Sequence, residues 1–303
     1  MSLSKLIAIA TDKSNFSTIE DFIDFGKQYL EFAVEGLQAV IVSQNEHHYQ
    51  FFQYKQEGNF NITRPLNSQL MYGVDDYDKV GAAFLDILQH IRDIPENDVE
   101  RRSIIIRAIY TIQQCIGAIL DALPSRQSNT ARKINGDLFE RLIRLLVTRV
   151  GVRCEVGTIK VPVKVDGELL FSMNYQHDLL LYDSEELKAI GSVKTSSKDR
   201  IDKIFMDKFL YSKLTDTALP HIAIFLNDVQ RKSTKKENEY KVGATFLPGR
   251  FKGFTIKLNP LDGVYYCDIR PNMTTDPILK EHIQTIDYFF CSDLWKLIEN
   301  SQT

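Results

Sequence analysis

The stretches His177-Asp178-Leu179-Leu180-Leu181-Tyr182 and Ala189-Ile190-Gly191-Ser192-Val193-Lys194 decide the fold. Each is a short apolar run of the length and composition typical of a buried strand. Asp178 precedes the first apolar run and Lys194 ends the second. If the two strands are antiparallel, these side chains meet at one edge of a sheet, because neighbouring strands lie about 4.8 Å apart.

A second carboxylate lies on the helix predicted next, over residues 198–214. Asp207 follows Arg200 by seven residues, about two helical turns, and therefore lies on the same helix face. The opposite face carries the apolar residues that would pack on the sheet: Ile201, Phe205 and Leu214.

A lysine between two carboxylates is how many nucleases hold a divalent metal ion beside an activated water. Mg²⁺ prefers a few carboxylate oxygens and keeps several waters, so Asp178, Asp207 and a phosphate oxygen make a suitable site. Lys194 beside such an ion would stabilise the charge that develops on phosphorus. On spacing alone an alternative stays open, in which Asp178 caps a turn, Lys194 is solvated and Asp207 forms a salt bridge within its helix.

A helix predicted over residues 136–149 precedes the strands. Glu140 lies one turn into this helix and faces Arg144 at i+4, a pair that on its own is more often a surface salt bridge than a ligand. Arg132 and Lys133 come before the predicted start of the helix. They suit either a phosphate clamp or an ordinary polar loop.

The 303 residues allow one large domain or two modest ones. Residues 1–124 are predicted to form a mainly helical region, and the polar, turn-rich residues 124–130 to form its boundary. The elements predicted there are helices over residues 17–42, 79–92 and 99–123, a strand over 49–54 and a loop over 58–65. Ser17 or Thr18 with Glu20 would cap the first of these helices.

Residues 125–303 alternate predicted helices and strands, an α/β pattern with a mixed central sheet flanked by helices. After the strands named above, strands are predicted over residues 221–226, 242–246, 254–258 and 264–269, and a terminal helix over 287–300. Two more precede them, over residues 152–163 and 168–173.

Composition and motifs exclude several classes of protein. With 44% hydrophobic and 25% charged residues the chain is typical of a globular protein. Its four cysteines form no CxxC pair, which indicates free thiols and no zinc site or disulfide framework. No long apolar stretch or signal-peptide pattern is evident, so we expect a cytoplasmic protein that does not bind membranes. Phosphate-cradling, dinucleotide-binding and nucleophile-elbow motifs are absent from the sequence.

The net charge of −3 argues against a protein that coats nucleic acid through bulk charge. Basic residues are nevertheless concentrated over residues 188–213 and 231–241, on both sides of the predicted carboxylate–lysine site. The second run favours a mobile loop, which could also follow a DNA backbone. Together the two runs favour a phosphate-binding cleft over an ordinary solvated face.

These residues together resemble the PD-(D/E)XK type II restriction endonucleases, in particular the EcoRII-like branch that reads CCGG, CCNGG and CCWGG sites. The resemblance covers roughly residues 126–226. Gly136-Asp137-Leu138-Phe139-Glu140 is similar to the Gly-x-x-(Leu/Phe)-Glu that follows an Arg-Lys-rich loop in that branch, and Asp178 matches the strand aspartate. Ser192-Val193-Lys194 has the small residue that replaces the usual acid before x-Lys.

The missing acid lies on the next helix in that branch, where this chain has Asp207, one methylene shorter than the usual glutamate. His177 stands in place of the usual proline or serine. Directly after the lysine, Lys198-Asp199-Arg200 matches a basic–acidic–Arg triplet that reads bases.

The resemblance implies a PD-(D/E)XK core and a Mg²⁺-dependent, sequence-specific cleavage of double-stranded DNA that leaves 5′-phosphates. Asp178 and Asp207 would bind the metal, Lys194 would position the water and Glu140 would support the site. Lys198 and Arg200 would donate to guanine, and Asp199 would accept from cytosine N4.

A palindromic site would be matched by a homodimer or a higher oligomer, with the N-terminal region supplying dimer and DNA contacts. Two rival functions remain: a repair or junction-resolving nuclease on the same core, and a DNA-binding module without catalytic activity.

Overall fold

Four helices and a small sheet form the N-terminal region of the computed structural model, which describes residues 1–56, 59–198 and 200–299. The helices are α1 (Leu3–Thr11), α2 (Ile19–Gly36), α3 (Val74–Gln89) and α4 (Val99–Leu120). The strands are β1 (Ala39–Val42), β2 (Tyr49–Gln56), β3 (Asn59–Ile62) and β4 (Leu66–Asn67), with β2 pairing to the other three in antiparallel fashion. The region is mainly helical, as predicted.

Two elements predicted in this region have different bounds in the structure. The first helix ends at Gly36, and the β-branched run Ala39–Val42 pairs with β2 as an edge strand. The residues predicted as a loop over 58–65 include β3, while Gly58 lies outside the described residues. The cap of α2 uses Thr18 and Asp21, whose side chains each bond the other's backbone N–H, and does not use Glu20.

Helix α4 is the central element of the largest hydrophobic cluster. By length and composition it is apolar enough to cross a membrane, contrary to the sequence-based expectation, and 78% of its most apolar window is buried inside the fold. A buried core helix meets the same test. Its buried Gln113 donates to the Asn135 side chain at 2.9 Å, which ties α4 to the helix that follows.

The remaining elements form an α/β layer structure. The helices are α5 (Ser128–Arg149), α6 (Ile201–Thr215), α7 (Pro248–Lys257), α8 (Pro271–Thr275), α9 (Leu279–His282), α10 (Ile286–Tyr288), a π-helical turn (Phe289–Asp293) and α11 (Leu294–Glu299). The strands are β5 (Arg153–Val165), β6 (Glu168–Asp183), β7 (Glu186–Ser196), β8 (His221–Asn227), β9 (Val229–Ser233), β10 (Tyr240–Ala244), β11 (Gly263–Tyr266) and β12 (Ile283–Thr285).

A six-stranded sheet of order β12-β11-β8-β7-β6-β5 forms the centre of this layer structure. Strands β5, β6 and β7 are antiparallel, whereas β7, β8, β11 and β12 run parallel. This confirms the predicted mixed sheet. Helices α4 and α5 cover one face, where Leu142 of α5 packs with Val193 of β7, and α6 and α7 cover the other, where Phe205 packs with Phe225 of β8.

Three further predictions were wrong. The two strands predicted over residues 168–173 and 178–182 are one strand, because the residues between them also pair with β5. Residues 254–257 belong to α7, and Leu258 is its C-cap; the helix begins at Pro248 and buries apolar side chains at helical spacing. Residues 231–241 contain most of the β9–β10 hairpin and are not simply a mobile loop.

Helix α5 begins at Ser128, earlier than predicted. Arg132 and Lys133 therefore lie inside a helix and do not form a loop before it. One hydrophobic cluster joins residues on both sides of residue 124, from Leu6 to Leu294. The domain boundary at that position stays a prediction.

A buried polar joint connects the N-terminal sheet to the central sheet. The Asp268 carboxylate, just after β11, accepts from Tyr49 Oη at 2.8 Å and from Asn67 Nδ2 at 2.9 Å. Arg270 pairs with Glu46 at 2.6 Å beside them. Burial raises the pKa of the Asp268 carboxyl, while the hydrogen bonds from Tyr49 and Asn67 act in the opposite direction. The joint therefore depends on these donors to satisfy a buried acid.

We expect Tyr49→Phe to lower the free energy of unfolding by about 1–3 kcal/mol, because it leaves a buried acceptor without its donor. Urea unfolding measures the loss. Tyr182→Phe is a matched control, since the Tyr182 hydroxyl makes no hydrogen bond to any described residue and the side chain is only partly buried. Equal stability of the two variants would contradict this role of the joint.

Candidate active site

The edge of the central sheet where β6 and β7 separate brings Asp178 and Lys194 together. The ladder between the two strands ends at the Leu179–Gly191 pair. Beyond it, the Asp178 carboxylate accepts from Val193 N–H at 2.8 Å and from Lys194 Nζ at 2.5 Å. The antiparallel arrangement inferred from the sequence thus produces the predicted meeting of the two side chains.

Helix α5 adds a second carboxylate to the same lysine. Lys194 Nζ lies 2.8 Å from Glu140 Oε1, because the apolar face of α5 packs against β7. The side chains of Lys194, Glu140 and Asp178 retain only 29%, 27% and 17% of their exposure. The i+4 pair of Glu140 with Arg144, considered from the sequence, does not occur among the described residues.

The charges of Asp178 and Glu140 explain why Lys194 stays protonated. Burial disfavours the Lys194 ammonium, but Asp178 and Glu140 outweigh it and raise the pKa of Lys194. Burial, and then the charge of Asp178, raise the pKa of Glu140, while Lys194 acts in the opposite direction. The lysine is therefore firmly cationic, and it compensates two carboxylates that would otherwise repel each other.

Asp207 lies near the same group but outside its hydrogen bonds. Burial raises the pKa of its carboxyl; Lys203 opposes this shift and the charge of Asp178 adds to it. No hydrogen bond or ion pair to Asp207 occurs within the described part of the chain. Its carboxylate oxygens are thus available to another ligand.

The carboxylate oxygens of Asp178, Asp207 and Glu140 are the hard donors that Mg²⁺ selects. Within residues 1–56, 59–198 and 200–299, no group of three or more acids, histidines or cysteines is arranged to hold a metal ion. Burial is the main cause of the raised pKa values of the Glu140 and Asp207 carboxyls, and the charge of Asp178 adds to it.

An aromatic wall beside Asp178 is not evident from the sequence. The His177 ring stacks on Tyr175, with centroids 6.0 Å apart, and meets the edge of His221 at 6.4 Å. Burial lowers the pKa of His177 and lowers that of His221 to about 4, so both rings are neutral. The alternation of residues 175 and 177 along one strand face is the signal that could have placed them together.

The residues predicted to bind DNA fall into two groups. Lys198 and Arg200 lie between β7 and α6, where Lys198 Nζ donates to Gln230 Oε1 at 3.0 Å and Arg200 is exposed. Asp199 lies outside the described residues. In α5, Lys133 pairs with Asp137 at 2.8 Å, and the exposed Arg132 donates a long, 3.4 Å hydrogen bond to Asn129.

Comparison with solved structures finds a likeness over almost the whole chain. The type IIP restriction endonuclease Kpn2I superposes with a TM-score of 0.65 and 16% identity, covering 97% of this chain and 96% of that one. The chain has the PD-(D/E)XK restriction-endonuclease fold. The complex of restriction endonuclease PspGI with substrate DNA matches at a TM-score of 0.44 and 11% identity, over 73% of this chain and 92% of that one. No family model and no curated protein sequence matches.

We expect Lys194→Met to lower the free energy of unfolding of the metal-free protein more at about pH 8 than at about pH 5. Without the ammonium, the already raised pKa of Glu140 rises further above its unfolded-state value, because Lys194 no longer opposes burial and the charge of Asp178. Stability then falls as the pH rises from the unfolded-state pKa towards the folded-state pKa of Glu140, because the folded protein must ionise a buried carboxyl beside Asp178. Urea unfolding at the two pH values measures this difference.

Lys188→Met is the matched control, since Lys188 is buried on the same strand but pairs with the exposed Glu186. Its effect should change little with pH. The same loss of stability at both pH values in Lys194→Met would contradict the proposed compensation of charge.

Proposed function

We propose that this protein is a Mg²⁺-dependent endonuclease that hydrolyses phosphodiester bonds in double-stranded DNA at a short palindromic site containing CC and GG. The observation that carries the proposal is the Lys194 ammonium held between Asp178 and Glu140 at the sheet edge. The fold shared with a type IIP restriction endonuclease is consistent with it.

Asp178 and Asp207 are the proposed metal ligands. When bound, Mg²⁺ would supply a Lewis acid for the phosphoryl oxygens and lower the pKa of a bound water. Glu140, which lies 2.8 Å from Lys194 Nζ, would hold the lysine in place. Asp207, on α6, would supply the second carboxylate.

Lys194 would act as a cation and not as a general base. A lysine that removes a proton at neutral pH needs a lowered pKa, whereas the two carboxylates raise that of Lys194. The ammonium would orient the attacking water through hydrogen bonding and stabilise the negative charge that develops on the phosphoryl oxygens. The neutral His177 would add no competing charge beside Asp178.

Recognition is proposed to lie directly after the catalytic strand. Lys198 and Arg200 would donate to guanine O6 and N7 in the major groove, and Asp199 would accept from cytosine N4. Arg132 and Lys133, on the helix that carries Glu140, would bind phosphates, for which Lys133 would leave Asp137. A two-fold homodimer, or a higher oligomer built from it, would match a palindromic site, and we propose a cytoplasmic location.

We expect Lys194→Ala and Asp178→Asn to lose cleavage of DNA by about a hundredfold or more while retaining most DNA binding, because each removes charge stabilisation at the reacting phosphate. Plasmid and genomic DNA digested with Mg²⁺, with fragment ends mapped, measure cleavage. The matched controls are Lys213→Ala at the end of α6 and Asp183→Asn at the end of β6, both exposed.

The same digestion separates the rival functions. Cutting at one short palindrome supports the proposal, whereas cutting of branched DNA irrespective of sequence supports a repair or junction-resolving nuclease. Uncut DNA with Mg²⁺ across a range of salt concentrations, together with sequence-specific binding, would indicate a DNA-binding module and overturn the catalytic assignment.

A separate prediction concerns base reading. Arg200→Ala should cost about 1–3 kcal/mol of discrimination at one base position of the site. Competition binding with duplexes that differ at single positions measures this cost. Arg149→Ala is the control, because Arg149 pairs with Glu20 on an exposed surface. An unchanged site preference in Arg200→Ala would remove this residue from the reading surface.

A further inference from the structure

The β9–β10 hairpin lies next to the segment that follows the catalytic lysine. Strand β8 runs parallel to β7, with Asn227 level with Ser196, so the hairpin leaves the sheet at the same edge as Lys194. Gln230, the second residue of β9, accepts a 3.0 Å hydrogen bond from Lys198 Nζ. The hairpin and the proposed base-reading segment are therefore in direct contact.

The two faces of the hairpin differ in character. On one face Val229 and Val242 pack against Tyr49 and Phe51 of the N-terminal sheet. On the other face, by strand alternation and register, lie two cross-strand pairs: Gln230 with Gly243, and Lys232 with Lys241. Both lysines are exposed.

Contacts among the described residues do not explain the placement of this lysine pair. Lys232 and Lys241 are directly opposite each other, a placement that costs stability because like charges repel. Neither forms an ion pair with any described residue. The Lys232 side chain also lies across Gly243, whose added Cβ would be 2.1 Å from Lys232 Cε, so this side chain leans towards the Gln230–Gly243 pair.

Hydrogen bonds with the N-terminal region hold the hairpin in place. Asn45 donates to Val242 O at 2.8 Å and accepts from Val242 N–H at 2.9 Å, and Gln44 N–H donates to Tyr240 O at 3.0 Å. Arg231 Nη1 donates to Thr63 O at 3.1 Å. The N-terminal region thus fixes the hairpin. Little conformational entropy would therefore be lost when a ligand binds its outer face.

We propose that the outer face of this hairpin is a second DNA-reading element, in which Gln230 reads a base edge beside the one contacted by Lys198 and the lysines Lys232 and Lys241 bind the flanking phosphates. The proposal rests on the proposed function for its ligand, double-stranded DNA. A glutamine amide offers a donor and an acceptor, the pattern that adenine presents at N6 and N7 in the major groove. The Lys198 bond uses only one lone pair of Gln230 Oε1, which leaves the other for the base.

Selection from a pool of DNA duplexes with a randomised central segment tests the base contact. The Lys194→Ala protein serves as the binding form, so that the DNA is not cut, and it is compared with the same protein carrying Gln230→Ala. We expect the added change to erase preference at one base position and its palindromic mate, by roughly 5- to 150-fold, and to leave the other positions as they were. The same selected motif in both proteins would overturn base reading by Gln230.

The dependence of DNA affinity on salt tests the phosphate contacts. Lys232→Gln and Lys241→Gln should each weaken binding to all duplexes alike and reduce the slope of log affinity against log salt by about one. Lys5→Gln, on the exposed surface of α1, should leave the slope unchanged. Slopes equal to that of the parent protein would overturn the phosphate contacts.

The outcomes separate this inference from the proposed function. If the wild-type protein cuts a defined site while the hairpin variants keep both motif and salt slope, the function stands and the inference fails. If the Lys194→Ala protein selects a motif that depends on Gln230 but the wild-type protein cuts no DNA, the inference stands and the catalytic proposal fails. Absence of DNA binding would overturn both.

Discussion

The arrangement of the site depends on one cation between two partly buried carboxylates. Asp178 reaches Lys194 from the neighbouring strand β6, and Glu140 reaches it from helix α5, which packs on β7, so the ammonium joins three elements. Without it, acids at a partly buried sheet edge would have to protonate or move apart. The lysine therefore has a structural role before any substrate or metal ion is bound.

The position of this cation follows from a change of strand direction within the sheet. Strand β7 is antiparallel to β6 on one side and parallel to β8 on the other. The last residues of β7 consequently lie beside the start of the buried half of β6. They also lie beside the end of β8, which is followed by the β9–β10 hairpin. Groups proposed for catalysis and for recognition are thereby brought to a single sheet edge by topology, with no long loops needed to connect them.

The sequence alone predicted a feature correctly where the local residue pattern and the tertiary packing favour the same structure. Asp178 and Lys194 were placed correctly because uninterrupted apolar runs identify buried strands. Helical spacing predicted a pair between Glu140 and Arg144. Tertiary packing instead turns Glu140 towards Lys194, a partner that helical spacing alone does not indicate. The α7 helix was mistaken for a strand because short apolar runs suit both structures. The β9–β10 hairpin was missed because its stabilising contacts come from residues far away in the chain.

The pairing of Asn45 with Val242 joins segments 197 residues apart. Closing so long a loop costs chain entropy, and non-local contacts of this kind slow folding. The outer face of the hairpin would then be fully formed only after the N-terminal region has packed against the rest of the chain. A chain whose N-terminal sheet opens locally would keep β7 in the central sheet and lose the support for the cationic face of the hairpin.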